Sequence, residues 1–207
     1  MQGPGCPRVA REIRGLADSA AAYKSGRVAE GDVAAWPEPD GQTRHLHGVI
    51  LGPADTPYAG GHFHVAIEIS EDYPFGPPKV KFTTPIWHPN VSSQTGAICL
   101  DILKNEWSPA LNISSMLTSL QALLCAPEPD DPQDAEVASQ YKRNRAAWEA
   151  AAKDWTARHA SPDAFSAGQP GVAALVDMGF DPTKARRALA EHGGDIAAAA
   201  AAILAES

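Results

Sequence analysis

Cysteine is scarce in this chain: Cys6, Cys99 and Cys125 are the only three among 207 residues. They form no CxxC pair, which excludes a zinc ribbon. An odd number without a secretory leader argues against a disulfide framework and points to a reducing compartment. Long hydrophobic runs are missing as well. The most apolar stretch, Ala197 to Leu204, is too short and too alanine-rich to span a bilayer. Positive charge is in deficit, with 17 Lys and Arg against 25 Asp and Glu and a formal net charge of −8. General binding to nucleic-acid phosphates needs clustered Lys and Arg, and this balance argues against it. The expectation is a cytoplasmic or nuclear protein with neither membrane nor nucleic acid among its partners.

What is present fits a globular protein, with 44% hydrophobic and 20% charged residues. The length holds one domain of common size and a small one. Val9, Ile13, Leu16 and Ala17 recur at helical spacing. Alternation predicts strands over 44–51 and 62–69, with Phe63, Val65, Ile67 and Ile69 toward a core and a tight turn at Gly60-Gly61. A short strand is predicted over 79–83. Asn112 is a plausible N-cap for a helix with Ile113, Leu117, Leu120 and Leu124 on one stripe, and further helices are predicted over 132–144 and 146–159. This order is an α+β plan with helices segregated from an antiparallel sheet. The aperiodic stretch 84–111 is long for a compact domain, and such loops are usually functional.

Residues 161–169 are rich in Ser, Pro, Gly and Asp and read as a linker between a domain over 1–160 and a small unit over 170–207. That unit carries three short helical signals. Val172, Leu175 and Val176 form the first stripe; Asp181-Pro182 opens a second helix that Gly193-Gly194 ends; Asp195 caps a third containing Ile196, Ile203 and Leu204.

Cys99 carries the chemistry. It lies nine residues after the carboxamide of Asn90, in a loop punctuated by Pro89 and Gly96, a pattern that suits a nucleophile facing an oxyanion donor. Free cysteines are most often small buried hydrophobes, which is the reading for Cys125 beside Leu123-Leu124. Cys6 falls in a tail. Around Cys99 stand Tyr73-Pro74-Phe75-Gly76-Pro77-Pro78, His88-Pro89-Asn90, Trp107-Ser108-Pro109 and Pro129-Asp130-Asp131-Pro132. In this order the set resembles the ubiquitin-conjugating enzymes over roughly residues 8 to 159. The three-helix unit, with Met178-Gly179-Phe180 in its first loop, resembles a ubiquitin-associated (UBA) domain. The subfamily of conjugating enzymes that ends in such a domain combines both.

That resemblance implies a conjugating fold and a set of roles. Cys99 would accept ubiquitin as a thioester from the activating enzyme and pass it to a lysine of a target or of another ubiquitin, building chains. Asn90 would stabilise the oxyanion, or shape its loop by local hydrogen bonds, or both. Asp131 would orient the incoming amine; its bland reading is an N-cap carboxylate. Asp101 and His88 are supporting candidates, His88 for loop architecture. Arg8, Arg11, Phe75, Ser108, Pro109 and Ala110 would meet the activating enzyme and ligases. Gly76 and Thr118 depart from what relatives often carry at ligase-facing and donor-facing positions. Met178, Gly179, Phe180 and Leu204 would contact ubiquitin noncovalently, with Phe180 exposed in its loop and Ile203 shared between binding and core. No metal or organic cofactor is expected, since the ATP is spent by the activating enzyme. His45, His47, His62 and His64 alternate on two adjacent strands and could in principle converge on zinc. Their phasing opposite Phe63 and Val65 places them instead on an outer, wet sheet face. Two other functions compete: conjugation of a ubiquitin-like modifier, and an inactive scaffold serving as a ubiquitin receptor.

Overall fold

The computed structural model describes residues 7–24, 26–27, 32–38, 44–98, 107–161, 170–192 and 195–205. Helices α1 (Pro7–Gly15) and α2 (Ala17–Lys24) lead into strands β1 (Val33–Pro37), β2 (His45–Leu51), β3 (His62–Glu68) and β4 (Lys79–Phe82). Helices α3 (Ile113–Cys125), α4 (Ala135–Arg143) and α5 (Arg145–His159) follow, then α6 (Pro170–Asp177), α7 (Pro182–Glu191) and α8 (Ile196–Ala205). The strands form an antiparallel meander in the order β1-β2-β3-β4. Pairing of Ile50 with Phe63, Gly48 with Val65 and Leu46 with Ile67 puts the apolar positions of two strands on one face.

Helix α3 covers that face. Asn112 caps it: its side chain accepts from Ser115 N–H at 2.8 Å while Ser115 Oγ accepts from Asn112 N–H at 2.9 Å. Ile113, Met116, Leu117, Leu120 and Leu124 are fully buried in one core with Phe63, Val65 and Phe82. Gly48 makes the close approach possible, since a Cβ there would come within 2.7 Å of Val65 Cγ2 and 3.3 Å of Leu117 Cδ2. Cys125 is exposed, which overturns its reading as a core residue. It lies one position, about 100° of helix rotation, past buried Leu124. The strand β1 was not expected, and the connection between β2 and β3 is ten residues, 52–61, rather than a tight turn. Gly61, at its end, packs on Phe63 and on Thr156 of α5.

The outer sheet face is less wet than the histidine spacing implied. Tyr23 of α2 stacks on Trp36 of β1 at 5.5 Å between centroids, and its hydroxyl lies 3.1 Å from His62 Nδ1 and 3.3 Å from His64 Nε2. His64 also meets His47 Nε2 at 2.8 Å and is only 1% exposed. Burial first, then the neighbouring imidazoles of His47 and His62, push its pKa down to about 2. Burial likewise lowers His47 despite Glu38 beside it. Among the described residues no group of three or more His, Cys, Asp or Glu is placed to hold a metal ion.

The C-terminal helices have their own small core of Val172, Leu175, Ala185, Leu189, Ala199 and Ile203. Helix α6 ends in a Schellman cap. Gly179 has φ +91° and donates to Val176 O at 2.8 Å, and Phe180 N–H donates to Leu175 O at 3.1 Å. The residue at that position of the motif packs back on the helix. Phe180 is therefore half-buried against this core, not exposed as its loop position implied. Met178 and Leu204 are 61% and 64% exposed. Asp181 accepts from Lys184 N–H, and Asp195 from Ala197 and Ala198 N–H, so both caps expected from sequence form.

Candidate active site

The segment from His88 to Ile98 is held from three sides. Along one side Phe82 N–H donates to Gly96 O at 2.9 Å and Lys81 pairs with Ala97, laying a small hairpin along the edge of β4. Gly96 is required there: its φ is +72°, and a Cβ would sit 1.9 Å from the Phe82 carbonyl oxygen. Within the hairpin Val91 pairs with His88 and with Ile98. Cys99 follows Ile98 directly in the chain. Cys99 and Asp101 lie outside the described residues.

From below, His88 is fully buried. Its Nδ1 accepts from Asn90 N–H at 3.0 Å, so Nε2 carries the proton and donates to Leu123 O of α3 at 3.1 Å. Burial, only partly offset by the Leu123 carbonyl, pushes the imidazole pKa down to about 4. With both nitrogens engaged, the ring bridges the Asn90 backbone to the Leu123 carbonyl of α3.

From the third side comes the acidic loop 128–134. Asn90 is 2% exposed. Its Nδ2 donates to Glu128 O at 2.8 Å and to Asp131 O at 3.0 Å, while Oδ1 accepts from Glu128 N–H at 2.8 Å. Pro89 O accepts from the N–H groups of Gln133 and Asp134 at 2.9 and 3.0 Å. Asp131 is exposed on this loop. It is not the cap of α4. That role belongs to Asp134, whose Oδ1 accepts from Val137 N–H at 3.2 Å. Asp134 Oδ2 takes both Ser93 Oγ at 2.7 Å and Ser93 N–H at 3.0 Å. Burial raises its pKa, but the hydrogen bonds from Ser93, Val137 and Glu136 outweigh burial and hold it below the usual carboxylate value. Sequence reasoning did not single out Ser93 or Asp134. The only signal was an Asp immediately ahead of an apolar helical run.

The expected partner surface is brought together at one corner. Trp107 Nε1–H donates to Pro74 O at 2.7 Å, joining the Tyr73–Pro78 loop to Ser108, Pro109 and Ala110, all three exposed. Phe75 is 81% exposed beside them. Arg11 is exposed, but Arg8 is committed internally. Its Nε binds Glu12 Oε1 and its Nη2 donates to Leu111 O, both at 2.7 Å. Glu12 Oε2 in turn accepts from Tyr73 O–H at 2.7 Å and Ile113 N–H at 3.0 Å. Gly76 is buried under the Asp72 carboxylate, 2.1 Å from where a Cβ would lie. Thr118 is exposed on α3.

The site is thus a four-stranded meander packed under α3, with the segment that precedes Cys99 in the chain braced by a carboxamide and an acidic loop. Comparison with known proteins gives the family. Residues 18–156 match the family profile described as Ubiquitin-conjugating enzyme. The chain is 50% identical over 159 residues to Ubiquitin-conjugating enzyme E2 27 of Arabidopsis thaliana, covering 77% of this chain and 81% of that protein. It is 49% identical over 160 residues to Ubiquitin-conjugating enzyme E2 K of Homo sapiens, covering 77% and 80%. Among solved structures, the E2 domain of a Toxoplasma gondii ubiquitin conjugating enzyme superposes with a TM-score of 0.67 at 47% identity, covering 75% of this chain and 98% of that one. The chain belongs to the ubiquitin-conjugating enzyme family.

Proposed function

We propose that this enzyme takes ubiquitin onto Cys99 and transfers it to lysine amines, building chains on targets. The Cys99 thiolate attacks the thioester carbonyl of ubiquitin on the activating enzyme, whose own thiolate leaves. A lysine amine then attacks the new thioester, the Cys99 thiolate departs, the amine gives up its proton and an isopeptide bond remains. The single observation that supports this most is the brace around the His88–Ile98 segment, where Asn90 and the Asp131 loop are locked together immediately upstream of Cys99.

Asn90 supplies the oxyanion donor in this scheme, a function whose loss typically costs about 3 kcal/mol, or roughly two orders of magnitude in rate. Both of its amide protons are given to loop carbonyls in this conformation, so donation to an intermediate requires one to be released. The bond to Asp131 O is the longer of the two. Asp131 orients the ammonium of the incoming lysine. Asp101 supports the same neighbourhood, and His88 holds the architecture. Phe75, Ser108, Pro109, Ala110 and Arg11 form the corner for the activating enzyme and ligases. Arg8 supports that corner from within.

We assign residues 1–160 to the catalytic domain, 161–169 to a linker and 170–207 to a UBA domain. In the last, Met178, Gly179 and Leu204 present a ubiquitin contact that Phe180 backs from the core. Such a domain raises the concentration of ubiquitin near Cys99. No described helix is long and apolar enough to cross a membrane, and we place the enzyme in the cytosol or nucleus. A charging reaction with activating enzyme, ATP and ubiquitin on a non-reducing gel tests the central step. The expected result is a thiol-labile adduct that becomes a thiol-resistant ester in Cys99→Ser. Absence of any adduct with ubiquitin, alongside an adduct with a ubiquitin-like modifier, would reassign the substrate; absence with all of them would leave a ubiquitin-binding scaffold.

A further inference from the structure

The contact between Ser93 and Asp134 joins segments 41 residues apart, yet neither residue has a part in the transfer chemistry above. The loop 128–134, which carries the proposed gate residue Asp131, is tied by backbone bonds from Gln133 and Asp134 to Pro89 O and by an ion pair of Asp130 with Lys142 at 2.8 Å. Pro129 and Pro132 have no N–H to donate, and residues 130–133 are exposed. Asn90 fixes the start of the loop through Glu128 and the carbonyl of Asp131. Asp134 fixes its end, with one carboxylate oxygen capping α4 and the other accepting both donors of Ser93. Asp131 sits between the two anchors. Hydrogen bonds to an ionised acceptor are the stronger kind, and this carboxylate accepts two from Ser93 as well as those of the first turn of α4.

We propose that Ser93 and Asp134 form a positioning clamp that sets the Asp131 gate against the active-site hairpin and so controls transfer of ubiquitin to an amine more than its uptake. Granted the thioester chemistry proposed above, the two half-reactions differ in what they ask of the gate. In uptake the nucleophile is a thiolate of this chain and needs no carboxylate to orient it. In transfer the nucleophile arrives as an ammonium, must be aligned and must lose a proton. A gate displaced by an ångström lowers the fraction of aligned encounters and leaves thiol exchange largely untouched.

Asp134→Asn is the informative substitution. Asparagine caps a helix as well as aspartate, but its Nδ2 cannot accept, so the Ser93 N–H loses its partner even where the Ser93 hydroxyl turns to accept from that Nδ2. Single-turnover discharge of the ubiquitin thioester to free lysine is expected to fall about 10-fold, against less than about twofold for thioester formation. Ser93→Ala, which leaves the Ser93 N–H in place, should lower discharge about threefold, and Ser93→Thr should restore it. In an Asp131→Ala background, Asp134→Asn should have no further effect on discharge, because the group it positions is gone. A merely structural residue would give additive losses there. Equal losses in uptake and discharge, additivity with Asp131→Ala, or wild-type discharge in Asp134→Asn would each overturn the clamp. If Asp134→Asn fails to fold by thermal melting, the Ser93 series carries the same test. A wild-type chain that never forms the adduct removes the thioester reading and the clamp with it. A wild-type chain that charges normally, with variants that discharge normally, removes the clamp alone.

Discussion

Acid should weaken the catalytic domain before its carboxylates titrate, because two histidines are buried as neutral rings. Burial holds His64 down to about 2 and His88 down to about 4, whereas both titrate near 6.5 in an unfolded chain. As pH falls, the unfolded chain takes up protons first. The stability these groups contribute is therefore fully present above about pH 6.5 and is lost as pH falls from there toward the folded values. A histidine that stays neutral in the fold loses about 1.9 kcal/mol between pH 7 and pH 5, so the pair loses about 4 kcal/mol. That is a large part of the roughly 5–15 kcal/mol that typically holds a domain together. All five tryptophans lie between residues 36 and 155, so their fluorescence reports the catalytic domain alone. Urea unfolding followed by that signal, repeated from pH 7 to pH 5, measures the loss directly. His64→Gln should be less stable at pH 7 but lose only about 2 kcal/mol over the same range, since one titrating group is gone. A wild-type loss below about 1 kcal/mol, or an undiminished loss in a His64→Gln, His88→Gln double variant, would refute the reasoning.

Glu12→Ala strips an acceptor from Arg8, Tyr73 and the buried Ile113 N–H, and should lower unfolding free energy by about 3 kcal/mol in the same urea assay. Gly96→Ala must move the Phe82 carbonyl and leave the left-handed region; a stability loss of at least about 2 kcal/mol is expected from thermal melting. Asn90→Asp places a carboxylate oxygen against the carbonyls of Glu128 and Asp131, so it should be less stable than Asn90→Ala at pH 7 and recover on acidification as that carboxyl is protonated. Deleting residues 165–207 should leave the rate of thioester formation within about twofold while abolishing noncovalent ubiquitin binding by titration.

Legibility in the sequence followed the range of the interactions. Phe63, Val65, Ile67 and Ile69 could be read because a strand face repeats every second residue, and Asn112 because a cap acts within three positions. β1 escaped because Ala34, Ala35 and Pro37 carry almost no strand signal; it forms because β2 offers it an edge. Cys125 was misplaced by one helical step. His64 was on the expected face, but its burial depends on Tyr23, 41 residues earlier on another element, and no spacing rule reaches that far. The site divides the same way. The motifs named Asn90 and Asp131, and the structure brings them onto one brace, but what holds them is Ser93 with Asp134 and the backbone of Glu128, again some forty residues away. That distance has a chemical consequence. The amide protons of Asn90, one of which the proposed oxyanion would take, both fasten the loop 128–134. Under the proposed roles, a donor used in transfer would loosen the loop proposed to orient the amine. The proposed clamp gives Asp134 its weight here, since it would hold the far end of that loop while Asn90 let go of the near one.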